Sequence, residues 1–236
     1  MDTLTMGHNV LITGASRGIG FALARQYLAR GSRVIATARN TGGDDLLALQ
    51  QQYRDQIELL TLDVTSAQEI ALIPKTLDKQ PLHLLINNAG LYTSSDDCID
   101  TLDSDTWLNE IRVNTIAPFM VTRALRPNLA ATGHATVAMI SSKMGSLSEN
   151  QSGGAYSYRS SKAALNAVTR SLAHDLACNS ISVVALHPGW VRTDMGGPKA
   201  PLDTTVSAAG LKSVLDKVGP DDNGKFFDYT GAQIPW

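Results

Sequence analysis

The sequence predicts one α/β domain, a doubly wound parallel sheet of about seven strands with helices on both faces. Short apolar runs alternate with longer stretches of helical periodicity, and 43% of the residues are hydrophobic against 18% charged. Strands that are apolar throughout are buried on both faces, and a helix after each strand is typical of a parallel sheet. No repeat, low-complexity segment or linker divides the chain, so residues 1–236 are expected to form a single domain.

The predicted elements follow in order from the first apolar run. Strands are predicted at residues 9–13, 33–37, 57–62, 82–86, 135–140, 181–186 and 225–229. Helices are predicted at residues 18–30, 44–53, 66 onward, 105–126, 157–177 and 203–217. Ser66 and Glu69 have the spacing of a capping box, which marks a helix start. Pro74 is expected to disturb that helix, and Pro118 to kink the long helix after it.

Three irregular stretches follow strands, at residues 92–104, 145–155 and 193–205. In open α/β sheets, ligands bind beyond the carboxyl ends of the strands. These stretches are therefore expected to border the functional site.

Composition and charge exclude several classes of function. The net charge is −2 and no run of Lys or Arg occurs, so nucleic acid is not an expected partner. Cys98 and Cys178 form no CxxC motif or Cys/His cluster, which predicts neither a disulfide framework nor a metal site. No apolar run approaches the ~18 residues of a membrane span, and the first residues do not form a signal peptide. A cytoplasmic protein without membrane contact is expected.

A glycine-rich turn, TGASRGIG at residues 13–20, joins the first strand to the first helix. It departs from the G-x-G-x-x-G spacing, but its glycines let the backbone approach a ligand closely. The helix N-terminus that follows attracts a phosphate, as in the Rossmann folds that bind dinucleotides. Six residues of the turn are assigned to cofactor binding: Gly14, Ser16, Arg17, Gly18, Ile19 and Gly20.

The same turn also matches G-x-S-x-G, the nucleophile elbow of serine hydrolases, with Ser16 as nucleophile. His174 and His187 follow it in the chain, as the order of such a triad requires. No earlier strand exists to supply an oxyanion loop, so the hydrolase is a remote alternative.

Arginines at two places indicate which dinucleotide binds. Enzymes that use NAD usually carry an acidic residue after the second strand, where this sequence has Ala38 followed by Arg39. A guanidinium can bind the 2′-phosphate of NADP in bidentate fashion, and Arg17 in the glycine turn supplies a second one. The sequence therefore predicts NADP(H) as cofactor, in preference to NAD(H).

Tyr158 and Lys162 are four residues apart near the start of a predicted helix, which places both side chains on one face. A free tyrosine has a pKa of about 10, too high for ready proton exchange at neutral pH. A lysine ammonium one turn away favours the phenolate and is expected to lower that pKa. The pair predicts a general acid for reduction, or a general base for oxidation.

These motifs together resemble classical short-chain dehydrogenases/reductases. In that family's order the sequence has residues 13–20, Asn87-Asn88-Ala89-Gly90, Asn114, Ser142, Tyr158 with Lys162, and Pro188-Gly189-Trp190-Val191-Arg192-Thr193. The resemblance covers residues 9 to about 195. Residues 140–146, 156–162, 194–197 and 229–236 are similar to the branch of bacterial C-factor-like proteins and insect sniffer-type carbonyl reductases.

The resemblance implies a role for each matching residue. Tyr158 would pass the proton, Lys162 would hold the nicotinamide ribose, and Ser142 would bond the carbonyl oxygen. Ser142 is preferred over Ser141, since neighbours on a strand point to opposite faces. Asn114 would hold a water that links Lys162 to solvent. The remaining cofactor contacts would come from Asp63, Val64, Asn87, Ala89, Gly90, Pro188, Gly189, Val191 and Thr193.

The predicted function is NADPH-dependent carbonyl reduction or the reverse alcohol oxidation, with a small carbonyl or alcohol as substrate. A second hypothesis is an NADP-binding signalling or regulatory protein with little turnover. The long helices at residues 105–126 and 157–177 could pair two copies, which makes a homodimer possible.

Overall fold

The computed structural model describes residues 7–78, 80–93 and 99–236. The described residues contain seven strands, which form one sheet in the order β3-β2-β1-β4-β5-β6-β7, with every neighbouring pair parallel. The strands are β1 Asn9–Ile12, β2 Arg33–Ala38, β3 Ile57–Thr61, β4 Leu84–Asn87, β5 Ala135–Ile140, β6 Ile181–His187 and β7 Phe226–Asp228. The predicted doubly wound parallel sheet is confirmed.

Seven α-helices accompany the strands in the described part of the chain. They are α1 Gly18–Leu28, α2 Asp44–Gln52, α3 Ala67–Thr76, α4 Ser104–Ile111, α5 Ala117–Ala130, α6 Tyr156–Leu176 and α7 Thr204–Leu215. The order of the sheet reverses between β1 and β4, since the chain adds β2 and β3 on one side and β5 to β7 on the other. The crevice beyond the carboxyl ends of β1 and β4 is thus the place where such folds bind ligands.

The sheet divides the hydrophobic core of the described residues into two large clusters, beside a small third one at β7. Val10 and Ile12 of β1 belong to the cluster shared with α1, α2 and α7, whereas Leu11 between them belongs to the cluster shared with α3, α5 and α6. This alternation follows from the two-residue period of a strand. Burial on both faces explains why the strands are apolar throughout.

Helix α3 differs from the expectation at one residue. The Ser66 side chain accepts a hydrogen bond from the Glu69 backbone at 3.2 Å, as a helix cap does. The predicted disturbance at Pro74 is wrong, because the helix continues through Pro74 to Thr76. Ile70 and Ile73 are buried against the sheet and hold this short helix in place.

The predicted long helix at residues 105–126 is present, but it has three parts. A π-helical turn, Arg112–Ile116, separates α4 from α5 and lies directly before Pro118. Pro118 has no N–H to donate to the carbonyl of Asn114, four residues earlier, so an α-helical bond is impossible there. The longer register of a π turn accommodates this loss, and such turns are frequent at functional sites.

The described helices include none that is long and apolar enough to cross a membrane. In the same residues, no group of three or more His, Cys, Asp or Glu side chains is placed to bind a metal ion. Cys178 is exposed with a free thiol, whereas Cys98 and part of the irregular stretch at residues 92–104 lie outside the described residues.

Leu85, in the middle of β4, is fully buried in the core cluster that the sheet shares with α3, α5 and α6. Leu85→Ala is predicted to lower the free energy of unfolding by about 2–5 kcal/mol, because it removes buried methyl groups and leaves a cavity. Urea denaturation measures this loss. Leu47→Ala on α2, where the side chain is 38% exposed, is the control and should change stability by less than about 1 kcal/mol. Equal losses in the two variants would contradict the assignment of this core.

Candidate active site

The glycine turn after β1 forms the floor of the crevice. Gly14 and Gly18 have φ of +67° and +58°, the left-handed region that favours glycine. A Cβ on Gly20 would lie 2.4 Å from the Gly14 carbonyl oxygen, so any side chain there would force the turn apart. Helix α1 begins after Arg17 with no side-chain cap and no acidic residue in its first turn. Its first N–H groups therefore suit an anion such as a pyrophosphate.

The motif after β4 holds this turn in place through Asn88, which the sequence interpretation did not single out. The Asn88 side-chain amide donates to the carbonyl oxygens of Thr13 and Gly14 at 2.9 and 3.0 Å. The Thr13 hydroxyl accepts from the backbone N–H groups of Asn88 and Ala89, both at 3.0 Å. Ala89 also touches the turn, because its Cα lies 3.0 Å from the position of a Cβ on Gly14.

Asn87 lies at the end of β4, where the resemblance implies both a contact with the cofactor ribose and support of the central strand. Its amide is buried and donates to the Thr122 hydroxyl at 3.1 Å and to the Met139 sulfur at 3.4 Å. These contacts join the end of β4 to α5 and β5. The side chain thus supports the sheet below the crevice.

The two arginines proposed for the 2′-phosphate are both exposed. Arg17 Nε lies 3.2 Å from Asp194 Oδ2, and each side chain is 76% exposed. Such an open ion pair is weak, so Arg17 is free to exchange Asp194 for another anion at little cost. Arg39 follows β2 and lies close enough to Asp63 to lower the pKa of that carboxyl, after the larger effect of hydrogen bonds from Thr65.

Asp63 and Val64 follow β3, beside the crevice. The Asp63 carboxylate accepts hydrogen bonds from the Thr65 backbone at 2.8 Å and from its hydroxyl at 2.7 Å. Asp63 therefore caps its own turn, while its backbone N–H donates to Glu69 at 2.6 Å. Val64 is partly buried and packs against the core.

Tyr158 and Lys162 occupy the first turns of α6, and both are more than nine-tenths buried. Lys162 Nζ lies 5.7 Å from the centre of the Tyr158 ring and donates to the Ile140 carbonyl oxygen at 2.9 Å, at the end of β5. Gly145 lets the chain after β5 approach the helix, because a Cβ there would lie 2.7 Å from the Lys162 carbonyl carbon. The helix and the end of β5 thus fix the lysine together.

The two serines after β5 have different partners. Ser142 lies beside the Tyr158 hydroxyl, close enough to lower the pKa of that phenol, and its own hydroxyl accepts from the Met144 backbone at 3.1 Å. Ser141 instead donates to Asn166 Oδ1 at 2.6 Å, inside the fold. The structure therefore brings Ser142, and not Ser141, together with Tyr158.

Burial controls the protonation of the pair. It raises the pKa of Tyr158 well above its ordinary value, against the lowering effect of Ser142, and Glu110 and Tyr92 raise it further. Burial lowers the pKa of Lys162 to about 8, although the charge of Glu110 acts in the opposite direction. In the protein chain alone, the pKa of Tyr158 is therefore raised, whereas the sequence predicted that Lys162 would lower it.

Asn114 lies in the π turn and is fully buried. Its side chain donates to the Leu91 carbonyl oxygen at 2.7 Å and accepts from the Leu91 N–H at 2.8 Å, with a third bond to Ser161 Oγ at 3.0 Å. It also faces Gly90, where an added Cβ would lie 3.4 Å from Asn114 Oδ1 and 3.6 Å from Lys162 Nζ. Asn114 and Lys162 thus both lie beside Gly90.

A cavity of about 460 Å³ opens beside Tyr158 and Ser142. Several sequence-predicted residues line it: Ile19, Pro188, Gly189, Val191 and Thr193. The cavity is also lined by Tyr92 and Glu149, from stretches that were expected to border the site, and by His187, which the sequence placed only in the hydrolase alternative. The sequence interpretation gave no site role to the other lining residues Lys143, Met144 and Arg159. Trp190 and Met195 form an exposed part of the wall. The one signal in the sequence that could have identified these residues was their position, either after a strand or next to Ser142 or Tyr158.

Charged side chains of the cavity wall already have protein partners. Lys143 pairs with Glu149 at 2.7 Å, and Arg159 Nη2 donates to Ser152 Oγ at 2.8 Å. Burial lowers the pKa of His187 to about 4, so this imidazole is neutral at pH 7. The cavity thus presents apolar surface, a hydroxyl pair and a neutral imidazole to a ligand.

Lys162 is predicted to make stability depend on pH. The folded chain releases this proton near pH 8, whereas an unfolded chain keeps it up to a pKa of 10.5. Between those values the unfolded state binds more protons, so the folded state gains stability as the pH rises. Relative to Lys162→Met, the wild-type free energy of unfolding should therefore increase from pH 8 to pH 10.5.

Urea denaturation across this pH range measures that difference. The exposed Lys217, replaced by Met, serves as control for the loss of a lysine. A wild-type advantage over Lys162→Met that is constant or falls with pH would show that burial does not depress the pKa of Lys162.

The comparisons with known proteins agree with the family that these motifs resemble. A family model described as short chain dehydrogenase matches residues 8–203. The C-signal protein of Myxococcus xanthus is 44% identical over 159 residues, which cover 66% of this chain and 93% of that protein.

Two solved structures share nearly the whole fold. An NADPH-bound carbonyl reductase from chicken fatty liver has a TM-score of 0.89 at 34% identity, covering 98% of this chain and 100% of that chain. The carbonyl reductase Sniffer of D. melanogaster has a TM-score of 0.89 at 33% identity, with the same coverage. The resemblance to the C-factor-like and sniffer-type branch is confirmed, and the chain belongs to the short-chain dehydrogenase family.

Proposed function

We propose that this protein reduces the carbonyl group of small aldehydes or ketones with NADPH, and oxidises the corresponding alcohols in reverse. The observation that carries the proposal is the buried Tyr158, which has Ser142 beside its hydroxyl in the same cavity wall and Lys162 one turn away. This group faces a cavity whose other walls include Ile19 of the glycine turn and the segment after β6. The proposed proton donor and the proposed dinucleotide site would therefore share one cavity.

The residues of the crevice fit NADPH, which supplies the hydride for the reduction when it is bound. The uncapped N-terminus of α1 and Gly14, Ser16, Gly18 and Gly20 would hold the pyrophosphate. Arg17 and Arg39 would bind the 2′-phosphate, and the family's NADPH-bound chicken reductase supports this choice. The other cofactor contacts would come from Asp63, Val64, Asn87, Ala89, Gly90, Pro188, Gly189, Val191 and Thr193.

Tyr158 would donate the proton to the carbonyl oxygen, and Ser142 would donate a hydrogen bond to the same atom. A raised pKa keeps the Tyr158 phenol protonated at neutral pH, which suits the acid of a reduction. Negative charge develops on that oxygen as the reaction proceeds, and two donors fixed beside it stabilise this charge most in the transition state. Below pH 8 the Lys162 side chain is mainly an ammonium, which would bind ribose hydroxyls.

Asn114 would complete a path for protons from solvent. Its side chain is already engaged with Leu91 and Ser161, so we expect its main-chain carbonyl, to which Pro118 cannot donate, to hold the water. Asn114 Oδ1 and Lys162 Nζ both lie beside Gly90, which brings the π turn close to the lysine.

The cavity wall favours a range of carbonyl compounds over one narrow substrate. Trp190 is 57% exposed and Met195 is 44% exposed, so this side of the site is open. Apolar and sulfur-containing side chains adapt to different shapes, whereas selective sites enclose the ligand with many fixed polar groups.

A second candidate function is NADP binding for regulation with little turnover, and the similarity to C-signal favours it. Against it stands the complete arrangement of Ser142, Tyr158 and Lys162, which cofactor binding alone does not require. The serine hydrolase is weaker still, because the described residues that line the cavity do not include Ser16. A homodimer through α4, α5 and α6 stays a prediction. The apolar side chains of Leu108 and Ile116 in this region are 62% and 50% exposed, which is compatible with such a contact.

The first test is steady-state consumption of NADPH and NADH with a panel of aldehydes, ketones, diketones and quinones. We expect NADPH to be preferred by about tenfold or more in kcat/KM, the value of one or two charge-assisted hydrogen bonds. Tyr158→Phe is expected to lower kcat by about 10²–10⁴-fold, the usual contribution of a general acid.

Tyr156→Phe is the matched control, because Tyr156 lies on the same helix, is 41% exposed and has no lysine four residues later. It should keep nearly full activity. Turnover that survives in Tyr158→Phe would remove Tyr158 as the proton donor, and NADPH binding without any turnover would favour the regulatory function.

A further inference from the structure

Glu110 is a fully buried carboxylate at the end of α4, and the proposed reaction does not use it. Its Oε1 accepts hydrogen bonds from the Thr93 N–H at 2.6 Å and from the Thr93 hydroxyl at 2.5 Å. Its Oε2 is buried too and has no hydrogen-bond partner among the described residues. Burying a carboxylate is costly, so a retained one calls for a physical reason.

Glu110 and Asn114 together anchor the segment that follows β4. Asn114 binds both backbone groups of Leu91, and Glu110 binds Thr93. Tyr92 lies between these two anchored residues. Because its neighbours on both sides are held by buried side chains, the direction of Tyr92 is fixed.

Tyr92 packs directly against the proton donor. Its ring centre lies 4.6 Å from that of Tyr158, with the planes inclined at 38°, and the same ring lines the cavity. Ring pairs at this distance and tilt are favourable arrangements in proteins. Tyr92 therefore limits the positions that the Tyr158 ring can take and forms part of the substrate wall.

We propose that Glu110 is a positioning residue of the reaction centre, which holds Tyr92 against Tyr158 through Thr93. The effect of Glu110 on catalysis rests on the proposed function. The anchoring of Thr93 and Tyr92 is a property of the folded chain and does not depend on turnover. Glu110 touches neither the cavity nor the reacting atoms.

The charge of Glu110 has a further effect that anchoring alone does not need. A glutamine could accept the same two hydrogen bonds without a charge. The titratable groups that act most directly on Tyr158 are Lys162 on its own helix, Glu110 on α4 and Tyr92 after β4. Four further charged or titratable side chains line the same cavity: Lys143, Glu149, Arg159 and His187. Glu110 raises the pKa of both Tyr158 and Lys162, so it keeps the phenol protonated and the lysine charged to a higher pH.

Two substitutions separate anchoring from charge. Glu110→Gln keeps an acceptor for Thr93 and removes the charge, whereas Glu110→Met removes both. Thr93→Val removes one of the two donors and leaves the core unchanged, so it tests the anchor even if Glu110→Met fails to fold. Glu58→Gln is the control, since Glu58 pairs with Arg33 on the sheet at 3.1 Å, away from the cavity.

The first readout is amide hydrogen exchange at Leu91 and Thr93, which requires no turnover. We expect Glu110→Met to accelerate exchange of the Thr93 amide by about tenfold, the loss of one buried hydrogen bond, and Thr93→Val to accelerate it less. Glu110→Gln, Glu58→Gln and Tyr158→Phe should leave it unchanged. Unaltered Thr93 exchange in Glu110→Met would overturn the proposal, whatever the wild type reduces.

The second readout is the pH profile of carbonyl reduction. In Glu110→Gln the alkaline fall of kcat/KM should move to lower pH by about one unit, because a nearby negative charge has been removed. Glu110→Met should show the same shift and also a raised KM and lowered kcat, since the wall and the proton donor lose their support. A wild type without turnover would sink the proposed function alone, whereas active variants with unchanged KM, kcat and pH profile would sink the role of Glu110.

Discussion

A lysine more than nine-tenths buried is held by the carbonyl oxygen at the end of a central strand, and much of the site depends on this contact. Lys162 Nζ donates to Ile140 at 2.9 Å, which ties the first turns of α6 to the carboxyl end of β5. The contact requires the chain after β5 to pass very close to the helix, and only a glycine at position 145 permits that approach. The same passage places Ser142 beside Tyr158. Burial of the lysine thus fixes the donor pair.

This arrangement costs stability at neutral pH, because burial lowers the pKa of Lys162 and so disfavours its charged form. The surrounding polar groups compensate in part. Ser142 lies beside the phenol and lowers its pKa, the Ile140 carbonyl accepts a hydrogen bond from Lys162, and Glu110 supplies a negative charge to the same region. Groups with strongly shifted pKa values in a cavity are typical of functional sites, where a fold accepts strain in exchange for chemistry.

The sheet and the motifs on its carboxyl edge could be predicted from the sequence because they follow local rules. Apolar strands, the glycine turn and the spacing of Tyr158 and Lys162 each depend on neighbours in the chain. Asn88, His187 and Glu110 could not be assigned in this way. Their roles arise from partners distant in sequence, such as Thr13 for Asn88, and from burial that only the folded chain has.

Two expectations failed for physical reasons of the same kind. Pro74 was expected to disturb α3, but tertiary packing of Ile70 and Ile73 outweighs the local penalty. The pKa of Tyr158 was expected below its ordinary value because of Lys162, but desolvation of the phenol is the larger effect in the chain alone. Spacing along a helix indicates which charges meet, whereas the depth of burial decides which effect is larger.

The central claim is that one cavity unites a hydride source with the Tyr158 proton donor. It is tested most directly with NADPH that carries deuterium on the transferable position of the nicotinamide, using a carbonyl compound that the wild type consumes. The account predicts an alcohol product with deuterium on its carbinol carbon and a hydroxyl proton from solvent, formed by the wild type and by Tyr156→Phe but not by Tyr158→Phe. A product without the label, or labelled product formed equally well by Tyr158→Phe, would contradict the account.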